Sequence, residues 1–145
     1  MNAVAGSWRK SRIGFTVSPG GSHKGIRDDN PLETFASLAR ALDREGIAYL
    51  HVLEEPIAEL SPARLIQDHF HGTLVSSGSY TRDSAEEALE SGVADLVAFG
   101  RAFTANPDLV EKLRTNRLLA LPDPKTFYSG GARGYIEEVT ATGRC

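Results

Sequence analysis

Short apolar runs rich in β-branched and aromatic residues alternate along the chain with longer segments whose apolar residues recur every three to four positions. These are the marks of strands and amphipathic helices respectively. Residues 13–17 read as a first strand. Asn30-Pro31-Leu32-Glu33 then supplies a cap, a first-turn proline and an acidic third position, predicting a helix that runs to about Glu45. Its Leu32, Phe35, Leu38, Ala39 and Leu42 share one stripe, and Gly46 is placed to end it. Residues 48–53 form the second strand, Ser61-Pro62 opens a shorter helix through Leu65, Ile66 and Phe70, and residues 73–77 are the third strand. A helix over residues 82–91 turns Ala85, Ala88 and Leu89 inward and closes at Gly92. The fourth strand, residues 96–99, leads through Asn106-Pro107-Asp108 to a helix over residues 107–114. Four β/α units in this order predict a parallel sheet with right-handed crossovers.

Four units are half of what closes a (β/α)8 barrel, and the chain's 145 residues fall well short of the roughly 250 typical of that fold. Two architectures fit the pattern: a small open α/β sheet complete in itself, or a partial (β/α)8 barrel made of the last four units. Residues 121–131 favour the second, because this polar and aromatic segment lacks helix periodicity and suits a cover over a pocket mouth. The expected division is a lead-in over residues 1–11, a half barrel over 12–120 and a tail over 121–145. A half barrel leaves the first and fourth strands as open edges and one apolar face without its opposite layer. Such a chain is expected to seek a partner, either a second copy or a complementary N-terminal half.

Composition narrows the function classes. With 41% hydrophobic residues the chain can form a core of single-domain size. A net charge of -3 and a pI near 5.8 supply no basic stripe, which argues against nucleic acid as a partner. Cys145 is the only cysteine, so neither a disulfide framework nor a thiolate metal site is expected, and a reducing, cytoplasmic setting fits. No apolar run approaches the roughly 18 residues that suggest a membrane span, and residues 1–8 carry no targeting pattern.

The candidate chemistry sits where strands end. Gly100-Arg101 follows the fourth strand, where a glycine lets a ligand approach the backbone and a guanidinium can pair with a phosphate. The alternative is a glycine that only turns the chain beside a solvated arginine. Gly78-Ser79 after the third strand repeats the layout ahead of a helix, so both turns could serve one anion. The last strand-to-helix loops of (β/α)8 barrels commonly hold phosphate. Elsewhere the reading is bland. His51, between Leu50 and Val52, suits a packed or hydrogen-bonded role; His69 and His71 lack a further metal ligand set and read as surface residues; Glu54-Glu55 and Glu86-Glu87 read as solvated faces. Ser76-Ser77-Gly78-Ser79 lacks the glycine spacing of a hydrolase nucleophile elbow.

Taken in order, Arg12-Ile13-Gly14 through Ser18-Pro19, Tyr49-Leu50-His51-Val52, Ser77-Gly78-Ser79-Tyr80-Thr81, residues 95–101, Asn106-Pro107-Asp108-Leu109 and Thr126-Phe127-Tyr128 resemble the C-terminal half of the old yellow enzyme family. The resemblance spans residues 8–135. It implies an FMN-dependent oxidoreductase on a (β/α)8 barrel, taking hydride from NAD(P)H and delivering it to the β-carbon of an activated alkene. It further implies that Gly78, Ser79, Gly100 and Arg101 hold the FMN phosphate, with Phe127 and Tyr128 near the flavin's dimethylbenzene edge and the substrate mouth. Two departures stand out. Thr16 occupies the position where the family usually has an arginine facing the flavin pyrimidine. The residues that grip the substrate and donate a proton belong to strands upstream of this chain, so no catalytic residue is assigned here. A non-catalytic remnant or interaction module is the alternative function.

Overall fold

The computed structural model describes residues 2–21, 25, 27–55, 57, 59–128 and 132. His23, residues 129–131, Tyr135, Cys145 and most of the expected tail lie outside the described residues. The chain divides into two compact units, Met1–Ala98 and Phe99–Cys145.

The first unit contains a four-stranded parallel sheet in the order β1 (Gly14–Val17), β2 (Tyr49–Leu53), β3 (Thr73–Ser77) and β4 (Leu96–Ala98). Its helices are α1 (Asn2–Ala5), α2 (Pro31–Glu45), α3 (Pro62–Gln67) and α4 (Arg82–Glu90). Register explains the two faces of the sheet. Phe15 pairs with Leu50 and Val17 with Val52, while Val52 pairs with Ser76 and Leu50 with Leu74, so these side chains share one face. That face packs on the helices, in a core of Ile13, Val17, Ala39, Leu42, Leu50, Val52, Ala63, Ile66, Phe70 and Leu74. The other face carries Thr16, Tyr49, His51, Val75, Ser77 and Leu96, of which Tyr49 is 43% and Leu96 55% exposed.

Local signals account for most boundaries. Pro31 stands in the first turn of α2, and Gly46 at φ 63° and Gly92 at φ 70° take the left-handed conformation that ends α2 and the turn after α4. Ser61 caps α3 by accepting from the Arg64 N–H at 3.3 Å, and Thr81 and Ser84 form a reciprocal capping box at α4. Three details depart from expectation. The Asn30 side chain does not cap α2; its amide donates to Glu33 at 2.7 Å, and Asp28 accepts from the Asn30 N–H at 2.9 Å. Leu32 is exposed at the first turn of α2, where Ala36 is buried instead. Leu89 is also exposed, so α4 meets the core through Ala85 and Ala88.

The second unit begins with a helix that the apolar pattern does not announce, α5 (Arg101–Ala105), followed by α6 (Leu109–Arg114) and a 3-10 turn over Pro124–Thr126. Pro107 and Asp108 form a turn, so the helix expected from residue 107 begins at Leu109. Asn106 is wholly buried and ties the unit together. Its side-chain amide donates to the carbonyls of Ala102 at 2.8 Å and Ala120 at 3.0 Å. Its side-chain oxygen accepts from the Ala120 N–H at 2.8 Å and from Lys112 at 2.9 Å.

Candidate functional site

At the C-terminal end of β3 the chain turns through Gly78 and Ser79 into α4, and both residues are exposed. Gly78 is favoured there by tight packing: a Cβ would stand 3.0 Å from Glu54 Cβ and 3.4 Å from the Glu54 carbonyl oxygen. The turn is anchored from beneath by a polar network on the helix-covered side. Tyr80 Oη and Ser76 Oγ lie 2.9 Å apart, Ser76 donates to Glu54 Oε1 at 3.5 Å, and the same carboxylate oxygen accepts from the Ala63 N–H at 2.7 Å. Burial raises the Tyr80 phenol above its ordinary pKa, against the opposing effect of its bond to Ser76. Glu54 is therefore no member of a solvated acidic run. It is half-buried and satisfies an amide in the first turn of α3. The signal was the Ser61-Pro62-Ala63 helix start, which needs an acceptor for more amides than Ser61 alone can serve.

Gly100 and Arg101 open the second unit. Gly100 stands at the N-cap of α5 with ordinary right-handed torsions, so no positive φ demands a glycine. A Cβ on it would meet nothing within 4 Å, and Arg101 is exposed. Among the described residues no carboxylate forms an ion pair with the Arg101 guanidinium. Free space beside the glycine, first-turn amides and an unpaired cation form a donor set that fits a phosphate. Phe127 and Tyr128 lie at the end of the 3-10 turn, with ring centroids 6.4 Å apart at 84°; Phe127 is half-buried and Tyr128 fully exposed.

Thr16 and His51 occupy the sheet face opposite the one that packs on the helices of the first unit. His51 Nδ1 is 3.3 Å from Thr16 Oγ1 and its Nε2 is 2.8 Å from Ser77 Oγ, so the imidazole bridges three strands. Burial holds its pKa below 6.5. The hydrogen-bonded role expected for His51 is what the structure shows. His71 is exposed, with its Nδ1 3.3 Å from Asp43, whose carboxylate also accepts from the His71 backbone at 2.7 Å. His69 is half-buried rather than on the surface. Among the described residues no group of His, Cys, Asp and Glu could hold a metal, and no helix is long and apolar enough to cross a membrane. A cavity of about 350 Å³ lined by Gln67, His71, Asp95 and neighbours opens at the other end of β3, away from Gly78. In barrels that end serves stability rather than chemistry.

Comparison with known proteins gives the fold and these turns a family. The chain is 33% identical over 145 residues to putative 12-oxophytodienoate reductase 11 of Oryza sativa subsp. japonica, an alignment covering 94% of this chain and 40% of the relative. It is 34% identical over 139 residues to a probable flavin mononucleotide-dependent alkene reductase of Leishmania infantum, covering 93% and 38%. Its structure matches the old yellow enzyme from Trypanosoma cruzi with a TM-score of 0.87 at 30% identity, over 96% of this chain and 38% of that one. Morphinone reductase in complex with tetrahydroNAD matches with a TM-score of 0.81 at 39% identity, over 92% and 37%. The chain thus spans about two fifths of the length of these relatives, and its architecture is a partial (β/α)8 barrel. Residues 22–120 match the family profile directly, and the chain belongs to the NADH:flavin oxidoreductase / NADH oxidase family.

Proposed function

We propose that this chain is the FMN-phosphate-binding half of an FMN-dependent oxidoreductase that passes hydride from NAD(P)H through the flavin to an activated alkene such as an enone. The observation that carries the reading is the start of α5, where a Cβ on Gly100 would meet nothing within 4 Å and the exposed Arg101 has no ion pair among the described residues. Family membership and the names of its relatives support FMN as the ligand. FMN, when bound, supplies the hydride chemistry; the protein's task is to hold and orient it. Gly78 and Ser79 contribute donors from the exposed turn after β3, Arg101 contributes charge, and Phe127 and Tyr128 border the substrate mouth. Thr16 gives the ring a neutral hydroxyl where the family resemblance implies a cation. We place the reaction in the cytoplasm on the cysteine content, a single Cys145, which fits a reducing setting.

A second reading has its own support. Tyr49 and Leu96 are 43% and 55% exposed on the sheet face without helices, and the relatives extend well beyond the span matched here. The chain then acts only with a complementary N-terminal half or a second copy, and alone it is a non-catalytic module.

Titrating the intact chain with FMN and following flavin fluorescence tests the first reading. Arg101→Ala weakens binding by roughly 1.5–3 kcal/mol, the value of a charge-assisted hydrogen bond, or about 10- to 150-fold. Unchanged affinity in Arg101→Ala defeats the phosphate assignment, and absence of any FMN binding by the intact chain favours the module.

A further inference from the structure

A cavity of about 350 Å³ opens at the N-terminal end of β3, where the connections entering β3 and β4 meet. That volume falls within the roughly 300–1,000 Å³ of small-molecule sites. Its floor is apolar, with Phe70 and Leu74 each 3% exposed, and its rim carries the exposed Gln67, His71 and Asp95. Each rim side chain has a partner that fixes its polarity. The Gly92 carbonyl can only accept, so Gln67 gives it the amide nitrogen and keeps Oε1 free. The Asp43 carboxylate can only accept, so the His71 ring donates from Nδ1 across 3.3 Å, and the neutral imidazole then has its lone pair at Nε2. Asp95 Oδ2 accepts from the Leu74 N–H at 2.8 Å, which leaves Oδ1.

The side-chain atoms left without a partner among the described residues are therefore acceptors: an amide oxygen, an imidazole nitrogen and a carboxylate oxygen. The charge around them has one sign. Asp95 lines the cavity, and Asp43 stands behind His71, its carboxylate held below the ordinary pKa chiefly by the His71 backbone N–H at 2.7 Å. Among the described residues no Lys or Arg lines the cavity. An anion would meet a carboxylate and, from these side chains, only the second N–H of Gln67. A primary ammonium brings three donors and no acceptor, and an alkyl stem behind it suits an apolar floor.

We propose that this cavity binds a small primary alkylammonium ion, with its head on Gln67, His71 and Asp95 and its stem over Phe70 and Leu74. The site lies at the opposite end of β3 from Gly78 and does not depend on the function proposed above. The same head and stem occur in free alkylamines and at the end of a lysine side chain, and it is this shared chemistry that the cavity reads.

Titration of n-butylammonium chloride into the intact ¹⁵N-labelled chain at pH 7.5 tests the site through backbone amide shifts at Gly72, Gly92 and Asp95. A dissociation constant of about 1–10 mM is expected for so small a ligand on an open site. Two control probes bind at least about fivefold more weakly: n-butanol, which has the stem without the charge, and tetramethylammonium, which has the charge without N–H donors. Asp95→Asn keeps an acceptor for the Leu74 N–H and loses the charge, and weakens n-butylammonium binding about three- to tenfold, the low end for a charge-assisted bond because Asp95 is exposed. Nα-acetyl-lysine N-methylamide separates the two sources. It matches n-butylammonium where the natural ligand is a protein side chain and binds more weakly where it is a free amine, and either result upholds the site. Absence of shifts up to about 100 mM, equal affinity for either control probe, or a folded Asp95→Asn chain with unchanged affinity overturns the proposal. The probe series needs only the wild type, so it decides the matter even where Asp95→Asn fails to fold.

Discussion

Replacing Asn106 with Ala deletes a four-way clamp and nothing else of size. The side chain is wholly buried and makes two donated and two accepted hydrogen bonds, three of them to backbone groups of Ala102 and Ala120. Lys112 keeps a second partner, Asp108 at 3.1 Å, so its ammonium is not stranded. The Ala120 N–H and C=O are stranded, in a residue only 9% exposed. At about 1 kcal/mol for each hydrogen bond lost, with a further penalty for buried groups left unpaired, Asn106→Ala is destabilised by about 3–5 kcal/mol. That is a large part of the 5–15 kcal/mol typical of a whole domain, and it corresponds to a fall in melting temperature of about 8–15 °C at this size. Thermal unfolding followed by far-ultraviolet circular dichroism gives the shift, and hydrogen exchange at the Ala120 amide gives its location. Asn106→Asp is the control: it retains acceptors for Ala120 and Lys112, loses both donations, and falls between wild type and Ala. A melting shift below about 2 °C together with unchanged Ala120 protection refutes the clamp.

Other outcomes follow from single contacts. Gly78→Ala must push a Cβ to within 3.0 Å of Glu54 Cβ. A loss of about 1–2 kcal/mol in a urea melt is expected, and a neutral result would show that the β2 end yields freely. The Asp43 carboxylate is held below its ordinary pKa of 3.8, chiefly by the His71 backbone N–H. Its contribution to stability is therefore complete above that value and is lost as pH falls through the lower, folded one. Asp43→Asn should be less stable than wild type at pH 7, with the difference shrinking at the acid end; parallel acid-unfolding profiles would contradict this.

The parts of this fold that can be read along the chain are those written in contiguous residues. Residues 73–77 form a strand with the bounds their apolar pattern predicts, and Gly46 and Gly92 end their segments in the left-handed conformation. What is not legible depends on neighbours distant in sequence. Leu32 and Leu89 lie on the apolar stripes of their helices, yet helical phase does not report how far the covering layer extends, and both are exposed. Helix α5 is five residues long with no side-chain cap, too short for periodicity to register. Asn106 reads as a helix start because Asn-Pro has that local meaning, whereas its side chain is committed to Ala120, fourteen positions on. The glycines of the candidate site were legible by position but not by reason: Gly78 answers to Glu54, and Gly100 has space around it without unusual torsions.

The bare face of the sheet makes two separate physical demands. Strands with apolar side chains on both faces belong to parallel sheets covered on both sides. Here Leu50, Val52 and Leu74 are covered by helices, whereas Tyr49 and Leu96 on the reverse are 43% and 55% exposed. Exposed Tyr49 and Leu96 call for an apolar layer, which a complementary half or a second copy would provide. The same face also carries Thr16, His51 and Ser77, which hydrogen-bond to one another across β1, β2 and β3. An apolar layer seated directly on the exposed Thr16 would bury the remaining hydrogen-bonding capacity of its hydroxyl without a partner, at about 1–3 kcal/mol. A polar ligand between the layers removes that penalty. On the proposed reading a partner layer and a polar ligand would therefore answer to different residues of one surface, the first to Tyr49 and Leu96 and the second to Thr16.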